Sequence, residues 1–158
     1  MDLILWRHAE AHALPEEQAA DPQADLQRAL TSKGERQAQR MAEWLNRRLP
    51  ESTRILVSPA VRTQQTALAL ARPFRTVKAL APDAPAEAVL QAARWPDAGE
   101  PVLIVGHQPT LGAVAARLLA GLDHSWAIKK AGVWWLRSRQ RGEDAGVVLQ
   151  AVQTVEFL

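Results

Sequence analysis

The stretch Leu3-Ile4-Leu5-Trp6-Arg7-His8 decides the fold of this chain, because it is a continuous apolar run that ends in an arginine and a histidine. A run without alternating polar residues is typical of a parallel strand that is buried on both faces. A second run, residues 102–105, ends in the same way with Gly106-His107. Ligands of open α/β sheets bind at the carboxyl edge of the strands. The two histidines therefore predict a site at that edge, and Arg7 indicates an anion such as phosphate.

Strand patterns alternate with helix patterns along the chain. This alternation predicts an α/β fold, a three-layer α/β/α sandwich whose central sheet is mostly parallel with an antiparallel edge. The length fits a single domain, residues 1–158. Strands are predicted at residues 2–6, 54–57, 74–79, 101–105, 126–137 and 146–155, with a turn at Gln140–Asp144. Residues 9–30 are predicted as a loop, and helices run from a capping box at Ser32 and Glu35 to about Arg48, from Ser58-Pro59 to about Ala71, from Pro85 to Trp95 and from Pro109 to about Ala120.

Composition excludes several classes of function. The chain has no cysteine, which excludes disulfides, iron–sulfur clusters and thiolate zinc sites. Its apolar runs are shorter than the roughly 20 residues of a membrane span, and it shows no basic leader, so we expect a cytoplasmic protein without membrane contact. The formal net charge is +2, and the arginines are spread over several segments as solvated helix faces. Nucleic acid is not an expected partner, because no basic stripe with stacking aromatics is present.

A third loop adds a second arginine to the predicted site. Arg62 follows the predicted strand 54–57, just as Arg7-His8 and His107 follow the other two buried strands. A phosphoryl group at this edge would meet two guanidinium groups, which stay charged and bind two oxygens at once. A neutral histidine that faces the phosphorus is a competent nucleophile. Taken alone, each of these residues is typical of an ordinary structural position, so the hypothesis depends on their combination.

The chain contains four motifs that resemble those of the histidine phosphatase superfamily and occur in the same order as in that family. The superfamily has the phosphoglycerate mutase-like fold. The four motifs extend over about the first two-thirds of the chain. The short length and the Arg-His-Ala-Glu-Ala variant resemble the phosphohistidine phosphatase SixA subgroup. The motifs are Arg7-His8-Ala9-Glu10-Ala11, Leu30-Thr31-Ser32-Lys33-Gly34, Ser58-Pro59-Ala60-Val61-Arg62-Thr63-Gln64-Gln65-Thr66-Ala67 and Gly106-His107-Gln108-Pro109.

The resemblance implies roles for four residues. His8 would be the nucleophile that becomes phosphorylated, Arg7 and Arg62 would bind the phosphoryl oxygens, and His107 would complete the pocket. It implies neither a metal nor an organic cofactor, and positioning with charge stabilisation is sufficient for phosphoryl transfer. Because His8 has to be neutral to attack, we expect activity near neutral pH that declines in acid.

The motifs do not assign a general acid. Many superfamily members carry an acidic residue between the second strand and the second histidine, where this chain offers Asp83. Glu10 is a second candidate because it lies close to His8 in the sequence. A phosphorylated imidazole leaves readily once its ring is protonated, so it needs less help from a general acid than an alkyl phosphate ester does. A site without a strong general acid therefore favours a phosphohistidine substrate. Ala9 stands where the family usually has glycine, which is a mild change if its φ is negative.

The predicted function is therefore a phosphatase that removes phosphate from phosphohistidine in a protein. Larger superfamily members insert helices over the site, whereas the sizeable loops here are residues 12–29 and 80–86. A site without such a cover would admit a side chain of a phosphorelay or phosphotransfer protein. A small phosphorylated metabolite is the alternative substrate, and a phosphate-binding module without turnover is the alternative function.

Two features have alternative interpretations. His8, Glu10 and His12 share one face if the segment is extended, which would suit a metal, although Arg7 would repel a cation. Trp134 and Trp135 should point to opposite faces of a strand. An exposed Trp135 or Trp126 would mark a partner or dimer surface.

Overall fold

The first strand, β1 (Asp2–Arg7), lies inside a six-stranded sheet in a computed structural model that describes residues 1–141 and 144–158. The other strands are β2 (Arg54–Val57), β3 (Arg75–Thr76), β4 (Val102–Gly106), β5 (Val133–Arg141) and β6 (Asp144–Gln153). Their order across the sheet is β3-β2-β4-β1-β5-β6. Strands β1 to β4 pair in parallel, and β5 and β6 are antiparallel, which confirms the predicted sheet.

Helices cover both faces of the sheet and complete three layers. They are α1 (Pro22–Leu26), α2 (Ser32–Asn46), α3 (Val61–Leu68), α4 (Ala86–Ala93) and α5 (Thr110–Ala120). Residues of α2 and α3 pack on one face, and residues of α4 and α5 pack on the other. The predicted α/β/α sandwich is confirmed. None of the helices in the described residues is long and apolar enough to span a membrane.

The apolar run of β1 serves both cores at once. Leu3 and Leu5 belong to the core under α4 and α5, whereas Ile4 and Trp6 belong to the core under α2 and α3. All four side chains are fully buried. Because successive side chains of a strand point to opposite faces, a strand covered on both sides needs apolar residues at every position.

The C-terminal strands begin and end elsewhere than predicted. β5 begins at Val133 rather than at residue 126, because the chain turns at Ala131, whose φ is 59°. The apolar residues before that turn pack without strand pairing, which periodicity alone does not distinguish. β6 ends at Gln153, and a 3₁₀ turn (Val155–Phe157) follows. Residues 142–143 of the predicted turn Gln140–Asp144 lie outside the described residues.

Other boundaries also differ from the sequence prediction. The predicted loop 9–30 contains α1 and a 3₁₀ turn (Glu16–Gln18). The predicted strand 74–79 is reduced to the two residues of β3, which a 3₁₀ turn (Lys78–Leu80) follows. Helix α3 begins at Val61 rather than in the turn after Ser58, because Ala60 is still extended, with φ −63° and ψ 144°.

The two tryptophans of β5 lie on opposite faces of the sheet, as predicted. Trp134 packs against one core, and Trp126 lies 6.0 Å from it between ring centroids. Trp135 belongs to the other core, is only 7% exposed and donates from Nε1 to the Asp2 carboxylate at 3.0 Å. The interpretation of Trp135 as an exposed partner surface is therefore wrong.

Helix α2 is capped by Thr31, one residue earlier than the predicted capping box at Ser32. The Thr31 hydroxyl accepts a hydrogen bond from the Gly34 backbone N–H at 2.9 Å, so the first turn has its acceptor. The same hydroxyl donates to the Glu10 carboxylate at 2.9 Å. Gly34 is needed because a Cβ at this position would lie 2.0 Å from the Glu10 carbonyl oxygen. This close approach explains the glycine of the Leu-Thr-x-x-Gly motif.

Substitution of Gly34 by alanine tests this packing. We expect Gly34→Ala to lower the free energy of unfolding by about 2 kcal/mol or more, because backbone on both sides has to shift. Gly99→Ala is the matched control, since a Cβ there meets no atom within 4 Å. Urea unfolding followed by circular dichroism measures both. Equal stability of the two variants would contradict the close-packing explanation.

Candidate active site

The two histidines of the sequence motifs lie side by side at the carboxyl edge of the sheet. β1 and β4 pair in the register Arg7↔Gly106, so His8 and His107 each stand one residue beyond the last pair. The backbone N–H of His8 donates to the Gly106 carbonyl at 3.1 Å. The ring centroids are 5.3 Å apart, with the planes tilted by 55°. The register of two neighbouring strands thus places both imidazoles in one site.

Both predicted arginines reach the same cavity. Arg7 ends β1, and its Nη1 donates to the carbonyl of Ile128 at 2.7 Å, which fixes the guanidinium. Arg62 lies in the first turn of α3 and is 4% exposed. The cavity has a volume of about 570 Å³. It is lined by Arg7, His8, Ala11, Ala19, Ala20, Asp21, Pro22, Asp25, Leu26, Arg28, Arg62, Ala81, Pro82, Asp83, His107, Gln108 and Lys130.

Three residues that line this cavity carry buried nitrogen atoms without a hydrogen-bond partner. Nε of Arg7, Nε of Arg62 and Nδ1 of His107 are buried and have no hydrogen-bond partner in the described residues. A buried donor without an acceptor is costly and calls for an explanation. Three such groups on three residues that line one cavity suit an anion with several oxygens, such as a phosphoryl group.

The His8 ring is held in one tautomer. Its Nδ1 lies 2.7 Å from the carbonyl oxygen of Ala9, and a carbonyl can only accept, so Nδ1 carries the proton. Nε2 is therefore the nitrogen with the free lone pair. Burial above all, together with the positive charges of Arg62 and Arg7, lowers the pKa of His8 to about 4, although the hydrogen bond to the Ala9 carbonyl acts in the opposite direction. His8 is thus neutral at pH 7.

Ser58 orients the second histidine and was missed as a site residue in the sequence analysis, where it counted only as a helix start. Its hydroxyl is fully buried and lies 2.6 Å from Nε2 of His107. The oxygen also accepts from the Ala60 N–H at 3.3 Å, and Nε2 is the one acceptor that the described residues offer to the hydroxyl proton, so we assign Ser58 as the donor to Nε2. Nδ1 of His107 then carries the ring proton. Burial, followed by the charge of Arg62, lowers the pKa of His107 to about 3.

Asp25 is a second site residue that the sequence analysis missed. Nη2 of Arg62 lies 3.1 Å from its carboxylate, and Nη1 donates to its backbone carbonyl at 2.8 Å. Arg28 also contacts the Asp25 carboxylate, at 3.1 Å. Asp25 lies in the short helix α1, within a segment whose composition resembles a loop. Only the three-dimensional contact with Arg62 reveals it.

The two candidate acids occupy different positions. Asp83 lines the cavity, in a left-handed backbone conformation with φ 66°. Glu10 is absent from the described cavity lining, and its carboxylate accepts a hydrogen bond from Thr31 instead.

His12 is exposed, and no group of three or more histidine, aspartate or glutamate side chains in residues 1–141 and 144–158 is arranged to hold a metal ion. Ala9 is buried and has no positive φ, as its place in the motif required.

Comparison with known proteins agrees with this geometry. The model of the histidine phosphatase superfamily (branch 1) matches residues 3–83, which is half of the chain. An uncharacterised protein of Picosynechococcus sp. strain PCC 7002 is 37% identical over 146 residues, covering 87% of this chain and 86% of the relative.

The chain belongs to the histidine phosphatase superfamily. It is therefore a phosphatase of that superfamily, and its sheet and helices match solved relatives. A protein from Nakamurella multipartitia, assigned as phosphohistidine phosphatase SixA, has a TM-score of 0.75 and 28% identity, with 96% of this chain and 94% of that chain covered. A protein from Escherichia coli, assigned as an alpha-ribazole-5'-P phosphatase, shares the fold, with a TM-score of 0.71, 20% identity and 98% coverage of both chains. The SixA resemblance inferred from the motifs is confirmed at the level of fold.

The buried histidines of this phosphatase should make its stability depend on pH. In the unfolded chain a histidine takes up its proton near pH 6.5, whereas in the folded chain His8 and His107 do so only near pH 4 and 3. Between these values the unfolded state binds more protons, so stability falls as the pH falls below 6.5. Each histidine contributes at most about 1.4 kcal/mol per pH unit in this window.

Urea unfolding at pH 7, 6 and 5 measures this dependence. We expect His107→Asn to reduce the loss of stability between pH 7 and 5, because one titrating group is removed. His124→Asn, at an exposed position, is the control and should keep the wild-type slope. A slope unchanged in His107→Asn would show that His107 does not titrate as its burial requires.

Removal of the Asp25 charge should strengthen anion binding in this phosphatase. A phosphate that binds Arg62 has to displace the Asp25 carboxylate, so we expect Asp25→Asn to bind inorganic phosphate about fivefold more tightly, the equivalent of about 1 kcal/mol. Titration calorimetry measures the affinity. Asp21→Asn is the matched control, because Asp21 lines the same cavity but caps α1 through the N–H of Gln23. A weaker affinity in Asp25→Asn would mean that this carboxylate positions Arg62 rather than competing for it.

Proposed function

We propose that this phosphatase removes phosphate from a phosphohistidine in a protein substrate and that His8 carries the phosphoryl group between two steps. The proposal is supported above all by Arg7, Arg62 and His107, which line one cavity together with His8 and each carry a buried nitrogen without a hydrogen-bond partner. This arrangement combines a nucleophile with donors for the oxygens of the group that it attacks.

Arg7 and Arg62 bind the phosphoryl oxygens in the proposed complex. A guanidinium keeps its charge even when it is buried, so it neutralises the phosphoryl oxygens without a proton transfer. Nδ1–H of His107 donates to a further oxygen, and Ser58 keeps that proton on Nδ1 by donating to Nε2. The anion replaces the Asp25 carboxylate on Arg62. No metal is required for these contacts, because two fixed cations supply the charge stabilisation.

In the first step, Nε2 of His8 attacks the phosphorus, and the bond from phosphorus to the substrate's imidazole nitrogen breaks. The departing nitrogen takes up a proton, so the substrate leaves as a neutral histidine. Asp83 is the proposed proton donor because it lines the cavity, whereas the Glu10 carboxylate accepts a hydrogen bond from the Thr31 hydroxyl. In the second step, water attacks the phosphorus of phospho-His8, one of its protons returns to the Asp83 carboxylate, and the bond from phosphorus to Nε2 breaks. Inorganic phosphate leaves, and His8 returns to its neutral form with Nδ1–H on the Ala9 carbonyl.

Two observations favour a protein substrate over a small metabolite. The cavity walls are short segments, since residues from 19–28 and 81–83 supply most of the lining beyond the motif residues. A phosphorylated imidazole also needs less acid assistance than an alkyl ester, and the candidate acid Asp83 is an exposed residue in a loop. A phosphorelay or phosphotransfer protein would present such a side chain. A small phosphorylated metabolite is the second candidate, because the E. coli protein with this fold is assigned to one.

Loss of His8 should abolish phosphate release. Wild-type protein and His8→Ala are incubated with a histidine-phosphorylated protein, and phosphorus NMR follows the release of phosphate. We expect release by the wild type and a rate reduced by about three orders of magnitude or more in the variant, because the nucleophile is removed. His124→Ala, which changes an exposed histidine, should keep the wild-type rate.

The same assay separates the two substrate classes. Faster turnover of a panel of sugar phosphates than of the phosphoprotein would favour the small-metabolite alternative. Release by His8→Ala at the wild-type rate would exclude a phosphohistidine intermediate on His8.

A further inference from the structure

A second cavity beside the catalytic cavity is rich in positive charge. It has a volume of about 570 Å³ and lies between α2, the loop before β5 and the C-terminal 3₁₀ turn. We call it the basic groove, and it is lined by Lys33, Arg36, Gln37, Arg40, Lys129, Lys130, Thr154, Val155 and Glu156. Five of these nine residues are cations and one is an acid, so the groove has an excess of positive charge.

Most of this charge has no internal partner. The single acid of the lining, Glu156, is paired with Lys129. Arg40 also has a partner, because its Nη2 donates to the backbone oxygen of Leu158 at 2.6 Å. The side chains of Lys33, Arg36 and Lys130 are exposed and form neither a hydrogen bond nor an ion pair within residues 1–141 and 144–158. Lys33, Arg36 and Arg40 recur every three or four residues and therefore lie on one face of α2.

The basic groove adjoins the catalytic cavity. Lys130 lines both. The groove residue Gln37 accepts a hydrogen bond from the backbone N–H of Glu10 at 3.0 Å, two residues after His8. On the other side, Ala131, which follows Lys130, donates from its backbone N–H to the carbonyl of His8 at 3.1 Å. Both walls of the groove are thus bonded to the loop that carries the nucleophile.

We infer that the basic groove binds an acidic segment of the substrate protein that lies next to the phosphohistidine. The inference rests on the proposed function, since it specifies which phosphoproteins the catalytic cavity accepts. A segment that leaves the cavity past Lys130 would lie along Lys129 and the cationic face of α2, where carboxylates meet unpaired lysines and arginines. Charge complementarity of this kind steers association and selects partners. The groove lining contains no aromatic residue on which a nucleic-acid base would stack.

Two synthetic peptides test the inference. Both contain one phosphohistidine, introduced chemically with phosphoramidate, and they differ only in the flanking residues, which are four glutamates in one and four lysines in the other. Release of phosphate gives kcat/KM for each, and p-nitrophenyl phosphate reports the condition of the catalytic cavity. We expect the wild type to prefer the acidic peptide by about tenfold at low ionic strength, with the preference shrinking as salt is added.

Charge reversal locates the effect in the groove. Arg36→Glu should reduce the preference for the acidic peptide several-fold and weaken its salt dependence. Arg139→Glu is the matched control and should leave the preference unchanged. Arg139 is exposed on β5 and lies beyond the amino end of β1, away from the carboxyl edge of the sheet that carries the site. Equal turnover of the two peptides by the wild type, or an unchanged preference in Arg36→Glu, would overturn the groove inference alone. Hydrolysis of p-nitrophenyl phosphate without release from either peptide would overturn the proposed function itself.

Discussion

The parallel pairing of β1 with β4 is the constraint on which the site depends. Because Arg7 pairs with Gly106, the residues that follow each strand emerge next to each other, and both of them are histidines. A shift by one residue would turn each side chain to the opposite face and would also break the apolar register of both cores. The burial of Leu3, Ile4, Leu5 and Trp6 on two faces therefore fixes the position of His8, the proposed nucleophile, at the end of β1.

Burial has opposite consequences for the two kinds of cationic residue in the site. It removes the proton from His8 and His107, whose ordinary pKa lies close to neutrality. It leaves the charge on Arg7 and Arg62, because a guanidinium starts from a far higher pKa. One environment thus provides neutral nitrogens and fixed positive charges together. A lysine at either arginine position would be a weaker solution, since desolvation lowers its pKa into a range where the charge is at risk.

The sequence predicts the parts of this structure that depend on burial and on local motifs. The strands β1, β2 and β4, the three layers and the convergence of the motif residues follow from apolar runs and from Pro and Ser at element boundaries. It does not predict Asp25 on Arg62, because a short helix in a polar segment has no periodic signal. The start of β5 is missed for the converse reason, since residues 126–132 are apolar enough for a strand but turn at Ala131. The groove is also missed, because its cations come from separate segments that only the fold brings together.

The loop after β1 connects these features mechanically. Its backbone is held by Gly106 and Ala131 on either side of His8, and Glu10 is held by Thr31 and Gln37 of the α2 region. Gly34 allows α2 to approach this loop closely enough for those bonds to form. The helix that presents Lys33 and Arg36 to the groove is therefore the same element that contacts the loop of His8, the proposed nucleophile. A partner bound along α2 would contact a surface whose position relative to His8 is fixed by backbone hydrogen bonds, so recognition and catalysis share one rigid frame.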